Sequence, residues 1–136
     1  MSSSNSTPSR GVHFGLWGLQ ILLALAFLAA GSFKLVTPAD EIIAAGMTIP
    51  IPVLRFAGLS EVLGAVGLIL PTGLRILPWL TPVAAACLSL VTLLAVGTHV
   101  AMGDVGAAAP PLVLAVLCAG VAWGRWSASP VSARGA

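Results

Sequence analysis

The chain has 136 residues, enough for one domain, and its six Lys or Arg against four Asp or Glu give a formal net charge of +2. Only 7% of its residues are charged and 58% are hydrophobic, whereas a soluble domain carries about 25% charged residues. This composition excludes a soluble globular protein and predicts an integral protein of the lipid bilayer. Because the net charge is small and the basic residues are scattered, we expect no nucleic-acid partner.

The first predicted element is a membrane-spanning helix. The polar, low-complexity opening MSSSNSTPSR predicts a disordered tail over residues 1–12, and the first apolar run covers about residues 14–33. About 20 apolar residues cross the hydrocarbon core of a bilayer. The small residues of FLAAGS would suit a cleaved signal peptide, but the length of the run and the Lys34 that follows it favour an uncleaved span.

The loop after this span, TPADEIIAAG, predicts a short interfacial helix on the outer side of the membrane. Thr37 is the predicted N-cap, Pro38 the first helical residue, and Asp40 completes an approximate capping box three residues after the cap. Gly46 is expected to end this helix, and the extended TIPIP then leads into the second span.

Three further apolar runs predict the remaining spans. They cover about residues 53–70, 77–101 and 109–126. Pro71 is predicted to stop the second span, while Pro110 and Pro111 suit the first turn of the fourth, where their missing N–H groups cost little. The predicted fold class is all-α, a four-transmembrane-helix bundle over residues 13–127 with a disordered C-terminal tail over residues 128–136.

The distribution of basic residues predicts the orientation, because Lys and Arg are enriched in cytoplasmic loops. Placing both termini in the cytoplasm puts four basic residues inside and two outside, and it puts the four tryptophans near the inner ends of the helices. The inner set is Arg10, Arg75, Arg125 and Arg134, the outer pair Lys34 and Arg55, and the tryptophans Trp17, Trp79, Trp123 and Trp126. We therefore expect an N-in, C-in protein of the bacterial cytoplasmic (inner) membrane.

The two cysteines, Cys87 and Cys118, lie in apolar runs and form no CxxC, zinc or haem spacing. They are predicted to be small apolar side chains in helix cores, with a disulfide between them as the weaker alternative. A single histidine without neighbouring ligands is a poor metal site, and no haem, flavin or iron–sulfur motif is present. We therefore expect no metal and no covalently bound cofactor.

One carboxylate stands out, Glu61 within RFAGLSEVLGAVGLIL. It lies about eight residues into the second span, roughly 12 Å deep at 1.5 Å per residue. An ionised acid there costs on the order of 3 kcal/mol, and such residues usually face a bundle interior and mark a functional site. Gly58, Gly64 and Ala65 lie three or four positions away on the same face, so another helix can approach closely. Glu61 is therefore predicted to point inward.

Other polar residues are predicted to lie in the same outer half of the bundle. Lys34 shares a face of the first span with Phe27 and Gly31, and Arg55 lies one to two turns above Glu61 on a different face. The third span carries a stripe formed by Ser89, Thr92, Val96 and His99. We take Glu61 and His99 as candidate catalytic residues, and Lys34, Arg55 and Thr92 as candidate ligand-binding residues.

A purely structural interpretation of these residues stays open. Glu61 would then be a buried acid that fixes helix packing, His99 an interfacial histidine at a helix end, and Lys34 and Arg55 positively charged flanks. The residue pattern alone does not separate a carboxylate that binds a ligand from one that holds helices together.

Three segments carry a resemblance to a known family. GSFKL at the end of the first span, AAGMTIPIP in the loop and AGLSEVLGAVGLILP in the second span resemble the DoxX family, particularly its DoxX-like branch, over about residues 14–105. The resemblance implies a four-helix membrane bundle with polar residues at Lys34, Glu61 and His99. Some members are described as the small membrane subunit of a thiosulfate:quinone oxidoreductase, others join membrane oxidoreductase complexes, and distant relatives assist the assembly or traffic of membrane proteins.

Three functions follow as hypotheses. The first is an accessory subunit of a redox system that binds a quinone or another lipophilic ligand in an outer polar pocket. The second is a non-catalytic scaffold or assembly factor for another membrane protein. The third is a small membrane isomerase or cyclase with Glu61 as acid or base, so whether the chain is an enzyme stays open. A membrane protein partner or a second copy of the chain is expected.

Overall fold

The computed structural model describes residues 9–135, and these residues form helices and no strand. The helices are α1 (Arg10–Val36), α2 (Ala39–Ala44), α3 (Ile51–Leu74), α4 (Leu80–Ala101) and α5 (Ala109–Trp123), with a 3-10 turn at Gly106–Ala108 and a π-helical turn at Gly124–Ala128. Four segments are long and apolar enough to span a membrane: α1, α3, α4 and Gly106–Ala128. The predicted all-α bundle of four apolar spans is confirmed. Most of the predicted N-terminal tail, residues 1–8, lies outside the described residues, as does residue 136, and the disorder of both tails stays a prediction.

The helices pack as two pairs that are joined in the middle. The main contacts join α1 to α3 and α4 to α5, and α3 packs on α4 between the pairs, whereas α1 meets α5 over a smaller area. A bilayer core offers no water to the backbone, so helices that satisfy their own N–H and C=O groups are the stable solution. Their shared core is apolar and includes Leu23, Phe27, Leu68, Leu88 and Val121.

The chain direction defines two ends of the bundle. The termini end carries the starts of α1 and α4 and the ends of α3 and α5. The loop end carries α2, the start of α3 and the turn before α5. Lys34, Arg55 and Glu61 belong to the loop-end half, and Arg10, Arg75 and Arg125 to the termini end.

The helix predicted in the first loop is present as α2, but the predicted capping box is wrong. The N-cap of α2 is Pro38, which has no side-chain cap hydrogen bond. Thr37 instead ends α1, because α1 continues to Val36 and the Thr37 N–H donates to the Phe33 carbonyl at 3.1 Å. Gly46 follows α2 with φ of +80°, a conformation that favours glycine, as predicted. An interfacial location for α2 stays a prediction.

The predicted stop at Pro71 is also wrong, because α3 continues through it to Leu74. A proline inside a helix leaves the carbonyl four residues earlier without its usual donor, and here that carbonyl belongs to Gly67. The Thr81 hydroxyl of α4 lies 3.1 Å from the Gly67 oxygen, and it also accepts from the Thr72 hydroxyl at 2.8 Å. A neighbouring helix thus replaces the missing donor, as occurs in membrane helices. Proline lies in the first turn of α5, as expected.

The two cysteines differ in their surroundings. Cys118 is buried in the core, which confirms its prediction, whereas Cys87 is exposed on the outer face of α4. Core placement was therefore wrong for Cys87, because the inward face of this stretch of α4 is occupied by Ala85 and Leu88. Both thiols are free, so the alternative of a disulfide is excluded.

Candidate functional site

Glu61 forms an ion pair with Lys34 across the α1–α3 contact. The Lys34 ammonium donates to both carboxylate oxygens, with Nζ 2.6 Å from Oε1 and 2.7 Å from Oε2. The Glu61 side chain is only 8% exposed and that of Lys34 is 27% exposed. The carboxylate is therefore held inside the bundle with both oxygens occupied. One of the three ammonium N–H groups remains for another acceptor.

Glycines let the two helices come close enough for this pair to form. A methyl group added to Gly31 of α1 would lie 2.7 Å from the Gly58 carbonyl oxygen, and one added to Gly58 of α3 would lie 2.9 Å from the Gly31 oxygen. The two backbones are thus in direct contact one turn before Lys34 and one turn before Glu61. Small residues give membrane helices this close approach, and the predicted inward face of Glu61 is the face that packs on α1.

Arg55 binds the end of α1 and makes no ion pair with Glu61. Its Nη1 donates to the carbonyl of Lys34, and its Nη2 donates to the carbonyl of Thr37 at 2.7 Å. Carbonyls in the last turn of a helix lack intrahelical donors and carry the negative end of the dipole. Arg55 thus ties the start of α3 to the end of α1, directly above the ion pair.

The two site residues predicted on α4 are not joined to this pair. The Thr92 hydroxyl is buried and donates within its own helix, to Leu88 at 2.8 Å and to Ser89 at 2.9 Å. His99 is half-buried in the last turn of α4, and no hydrogen bond within residues 9–135 connects its ring to Lys34 or Glu61. Hydrogen bonds therefore bring together Lys34, Glu61 and Arg55, whereas none within residues 9–135 joins Thr92 or His99 to them.

A second polar cluster, at the termini end, was missed by the sequence reasoning. Arg125 is 3% exposed, and its Nε donates to the Gln20 amide oxygen at 2.5 Å. Its Nη1 lies 3.2 Å from His13 Nδ1 and 3.3 Å from the Ser129 carbonyl, and its guanidinium carbon is 5.6 Å from the Trp17 ring centroid. The spacing of His13, Trp17 and Gln20 by four and then three residues places them on one helix face, and this pattern could have revealed the cluster.

Gln20 secures this cluster to α3, because its amide nitrogen donates to the Leu68 carbonyl at 2.5 Å. Gln20 therefore bridges α1, α3 and the turn that follows α5. Unlike Glu61, Arg125 has no carboxylate partner among residues 9–135, where Lys34–Glu61 is the one salt bridge. Its Nη2 is buried without any hydrogen-bond partner in the same residues.

Two cavities lie at the termini end, away from Glu61. The larger has a volume of about 420 Å³ and the smaller about 310 Å³. The first is lined by Arg10, His13, Phe14, Ser129 and Pro130, and the second by Pro82, Val83, Ala86, Ala122, Trp123, Trp126 and Ser127. Neither borders Lys34, Arg55 or Glu61. Within the described chain, residues 9–135, no three His, Cys, Asp or Glu side chains are placed to hold a metal ion.

The bundle and its intramembrane ion pair define a class of protein, a small four-span integral membrane protein with a buried Lys–Glu contact between its first two spans. A sequence model of the DoxX-like family matches residues 18–121, and the chain belongs to this family. No curated protein and no solved structure matches the chain.

Proposed function

We propose that this chain is an accessory subunit of a membrane protein complex, without catalysis of its own, and that Lys34–Glu61 is the lock that joins α1 to α3. The observation that carries the proposal is the closed geometry of the pair. Both Glu61 oxygens accept from Lys34, and glycine contacts close the helices beside them. Lys34 favours the ionised form of Glu61 and holds both of its oxygens, and the side chain is only 8% exposed, so the pair suits a structural contact better than an acid or base of an isomerase or cyclase.

The partner is proposed to be another membrane protein or a second copy of this chain, within the bilayer. A scaffold needs a fixed shape, and three contacts at the loop end supply one: the ion pair, the backbone contact between Gly31 and Gly58, and the Arg55 bonds to the end of α1. These contacts hold α1 and α3 as one unit. The outer face of that unit is apolar and is available to lipid or to a partner helix.

A second candidate keeps the redox role, in which the accessory subunit also binds a quinone-type ligand at the loop end. One observation favours it: Lys34 is partly exposed, and its third N–H is free to donate to a quinone oxygen. In this version Lys34 is the ligand-binding residue and Glu61 holds it in place. No hydrogen bond within residues 9–135 joins Thr92 or His99 to the pair, so a direct part for either stays a prediction.

Purification in a mild detergent separates the two versions, when the wild-type protein and the Glu61→Gln variant are compared for bound protein and for extracted quinone. The scaffold version predicts a stoichiometric protein partner with the wild type and no quinone with either. A matched control is Asp104→Asn, which removes one acidic charge at the loop end outside the pair.

The outcomes are distinct. Stoichiometric quinone with wild type and Asp104→Asn, lost with Glu61→Gln, would replace the scaffold by the redox version. Turnover of an apolar small molecule by the isolated chain, lost with Glu61→Gln, would overturn both and restore the enzyme hypothesis. Absence of any protein partner and of self-association would contradict the accessory role itself.

We propose an orientation with both termini in the cytoplasm of a bacterium and the chain in its inner membrane. The termini end carries four arginines, whereas the loop end carries two basic residues, and Lys and Arg are enriched on the cytoplasmic side. Reporter fusions at the two termini and in the loop at Gly103 test this, and a cytoplasmic signal from the loop would contradict it.

A further inference from the structure

The cavity of about 420 Å³ at the termini end lies against an uncompensated buried cation. Two residues that line it, His13 and Ser129, are also the residues that Arg125 Nη1 contacts, at 3.2 Å and 3.3 Å. The guanidinium therefore lies directly behind the cavity wall. Arg10, which is exposed, forms another part of that wall. A void that already has two arginines beside it has the electrostatics of an anion site.

Residues 9–135 place no acidic side chain there. All four acidic residues, Asp40, Glu41, Glu61 and Asp104, lie in the loop-end half of the chain's fold. The contacts of Arg125 include no acidic side chain: they are the Gln20 amide oxygen, an imidazole nitrogen, a carbonyl and an indole ring. A buried charge is normally paired, and among residues 9–135 this one has no acid and leaves Nη2 without any acceptor.

We propose that this cavity holds the phosphate group of an anionic phospholipid, with Arg10 at its mouth and Arg125 behind its wall as the resident positive charge. Phosphate suits guanidinium groups, which offer planar, charged N–H donors. Phe14 and Pro130 make the remaining wall apolar, as a lipid needs and a free phosphate ion does not. The exposed Trp123 and Trp126 at the same end are placed as residues of the headgroup region usually are.

The site is independent of the scaffold and redox proposals, because it shares no residue with Lys34–Glu61 and lies at the opposite end of the bundle. In this proposal, two of the arginines at the termini end, Arg10 and Arg125, bind an anionic lipid. An anionic lipid would bring the missing negative charge between α1 and the turn after α5, and so bind together two segments that otherwise meet over a small area.

The test is lipid retention by the full chain. The protein is reconstituted in nanodiscs of phosphatidylglycerol and phosphatidylcholine in equal amounts and moved into mild detergent, and bound lipid is counted by native mass spectrometry. The wild type is expected to keep phosphatidylglycerol and to lose phosphatidylcholine. Arg125→Gln and Arg10→Gln should each reduce retention about fivefold, the effect of losing one basic charge near the anionic group.

Arg134→Gln is the matched control, since it removes an arginine from an exposed position at the same end and outside the cavity wall; it should retain lipid as the wild type does. If Arg125→Gln does not fold, Arg10→Gln alone decides. Equal retention by all variants, or an equal loss with Arg134→Gln, would overturn the site. Displacement of the lipid by excess inorganic phosphate would overturn the lipid as its occupant.

Discussion

The two ends of this bundle handle a buried charge in opposite ways. At the loop end, Glu61 meets Lys34 through two hydrogen bonds of 2.6 and 2.7 Å, and the charges cancel inside the protein. At the termini end, Arg125 is even less exposed, yet within residues 9–135 it contacts no acidic side chain and keeps one nitrogen without a hydrogen-bond partner. Both side chains are buried, so burial alone does not explain why one has an oppositely charged partner and the other has none within residues 9–135.

The contrast shows that the buried charge at the loop end is balanced by a residue of the same chain, whereas the buried charge at the termini end has no counter-charge within residues 9–135 and could take one from a bound anion. Taking charges out of water is expensive unless partners replace the lost solvation. The loop end meets that requirement for Glu61 with the two hydrogen bonds from Lys34. The termini end meets it in part with Gln20 and lies beside an open cavity. The first arrangement suits a structural lock, and the second suits a ligand.

Removing the cation from the lock should have the largest effect. Lys34→Met leaves the Glu61 carboxylate buried without its partner, and breaking a buried pair in this way costs about 3 kcal/mol. Glu61→Gln should cost less, about 1 kcal/mol, because Lys34 is 27% exposed and can turn towards polar surroundings. Unfolding in mixed micelles by titration with a denaturing detergent measures both, and an equal loss for the two variants would contradict the closed-pair description.

The glycine contact beneath the lock should give the next largest effect. Gly31→Ala places a methyl group 2.7 Å from the Gly58 carbonyl oxygen, so α1 and α3 must separate, at about 2 kcal/mol. Gly18→Ala is the control on the same helix, because a methyl group there meets nothing within 4 Å. It should be neutral or stabilise by up to about 1 kcal/mol, since alanine is the better helix former. Equal effects of the two substitutions on unfolding would show that the contact does not hold the helices.

The hydrogen bond from Thr81 to the Gly67 carbonyl, near the termini end, should have a smaller effect on the free energy of unfolding, and a double variant can check it. Thr81→Val removes the donor to the Gly67 carbonyl and should cost about 1 kcal/mol. Adding Pro71→Ala restores a backbone N–H for that carbonyl, so the double variant should recover much of the loss. Additive losses in this cycle would mean that Thr81 does not substitute for the donor that Pro71 lacks.

The smallest expected effect comes from giving Arg125 a carboxylate partner, as Lys34 has in Glu61. Gln20→Glu places a carboxylate on Arg125, whose Nε lies 2.5 Å from the present amide oxygen, and it removes the amide donor to the Leu68 carbonyl, so folding of the variant is checked first. Phosphatidylglycerol retention should then fall about fivefold, the effect of cancelling one basic charge near a membrane surface. Unchanged retention would mean that Arg125 is not the charge that holds the lipid.

Much of the fold could be predicted from the sequence because four long apolar runs leave few alternatives in a bilayer. The errors had two causes. Pro71 was predicted to end the second span, but Thr81 of α4 donates to the Gly67 carbonyl and α3 continues; this tertiary contact has no signature within a short stretch of sequence. Thr37 was predicted as an N-cap, but α1 extends to Val36 and ends at Thr37, a local error in the boundary of the first helix.

The sequence predicted which helix face carries Glu61, but not which residues contact it. Glycines at helical spacing indicated that Glu61 points inward, and Lys34 was placed on a face shared with Gly31, but the direct pairing of Lys34 with Glu61 depends on how two helices align. Arg55 was expected as a ligand-binding residue, which stays a prediction, and its hydrogen bonds to the end of α1 were not foreseen. Arg125 was taken only as an orientation marker, since nothing in its neighbourhood along the chain indicates that Gln20, 105 residues away, receives its hydrogen bond.

The claim that Lys34–Glu61 is a structural lock is tested most directly by exchanging its charges. Unfolding in micelles is measured for the wild type, Lys34→Glu, Glu61→Lys and the double exchange, and the coupling energy is taken from the cycle. The lock predicts that each single variant is destabilised, that the double exchange recovers at least half of the summed loss, and that it retains the same protein partner. A double exchange as unstable as the sum of the single variants would contradict it.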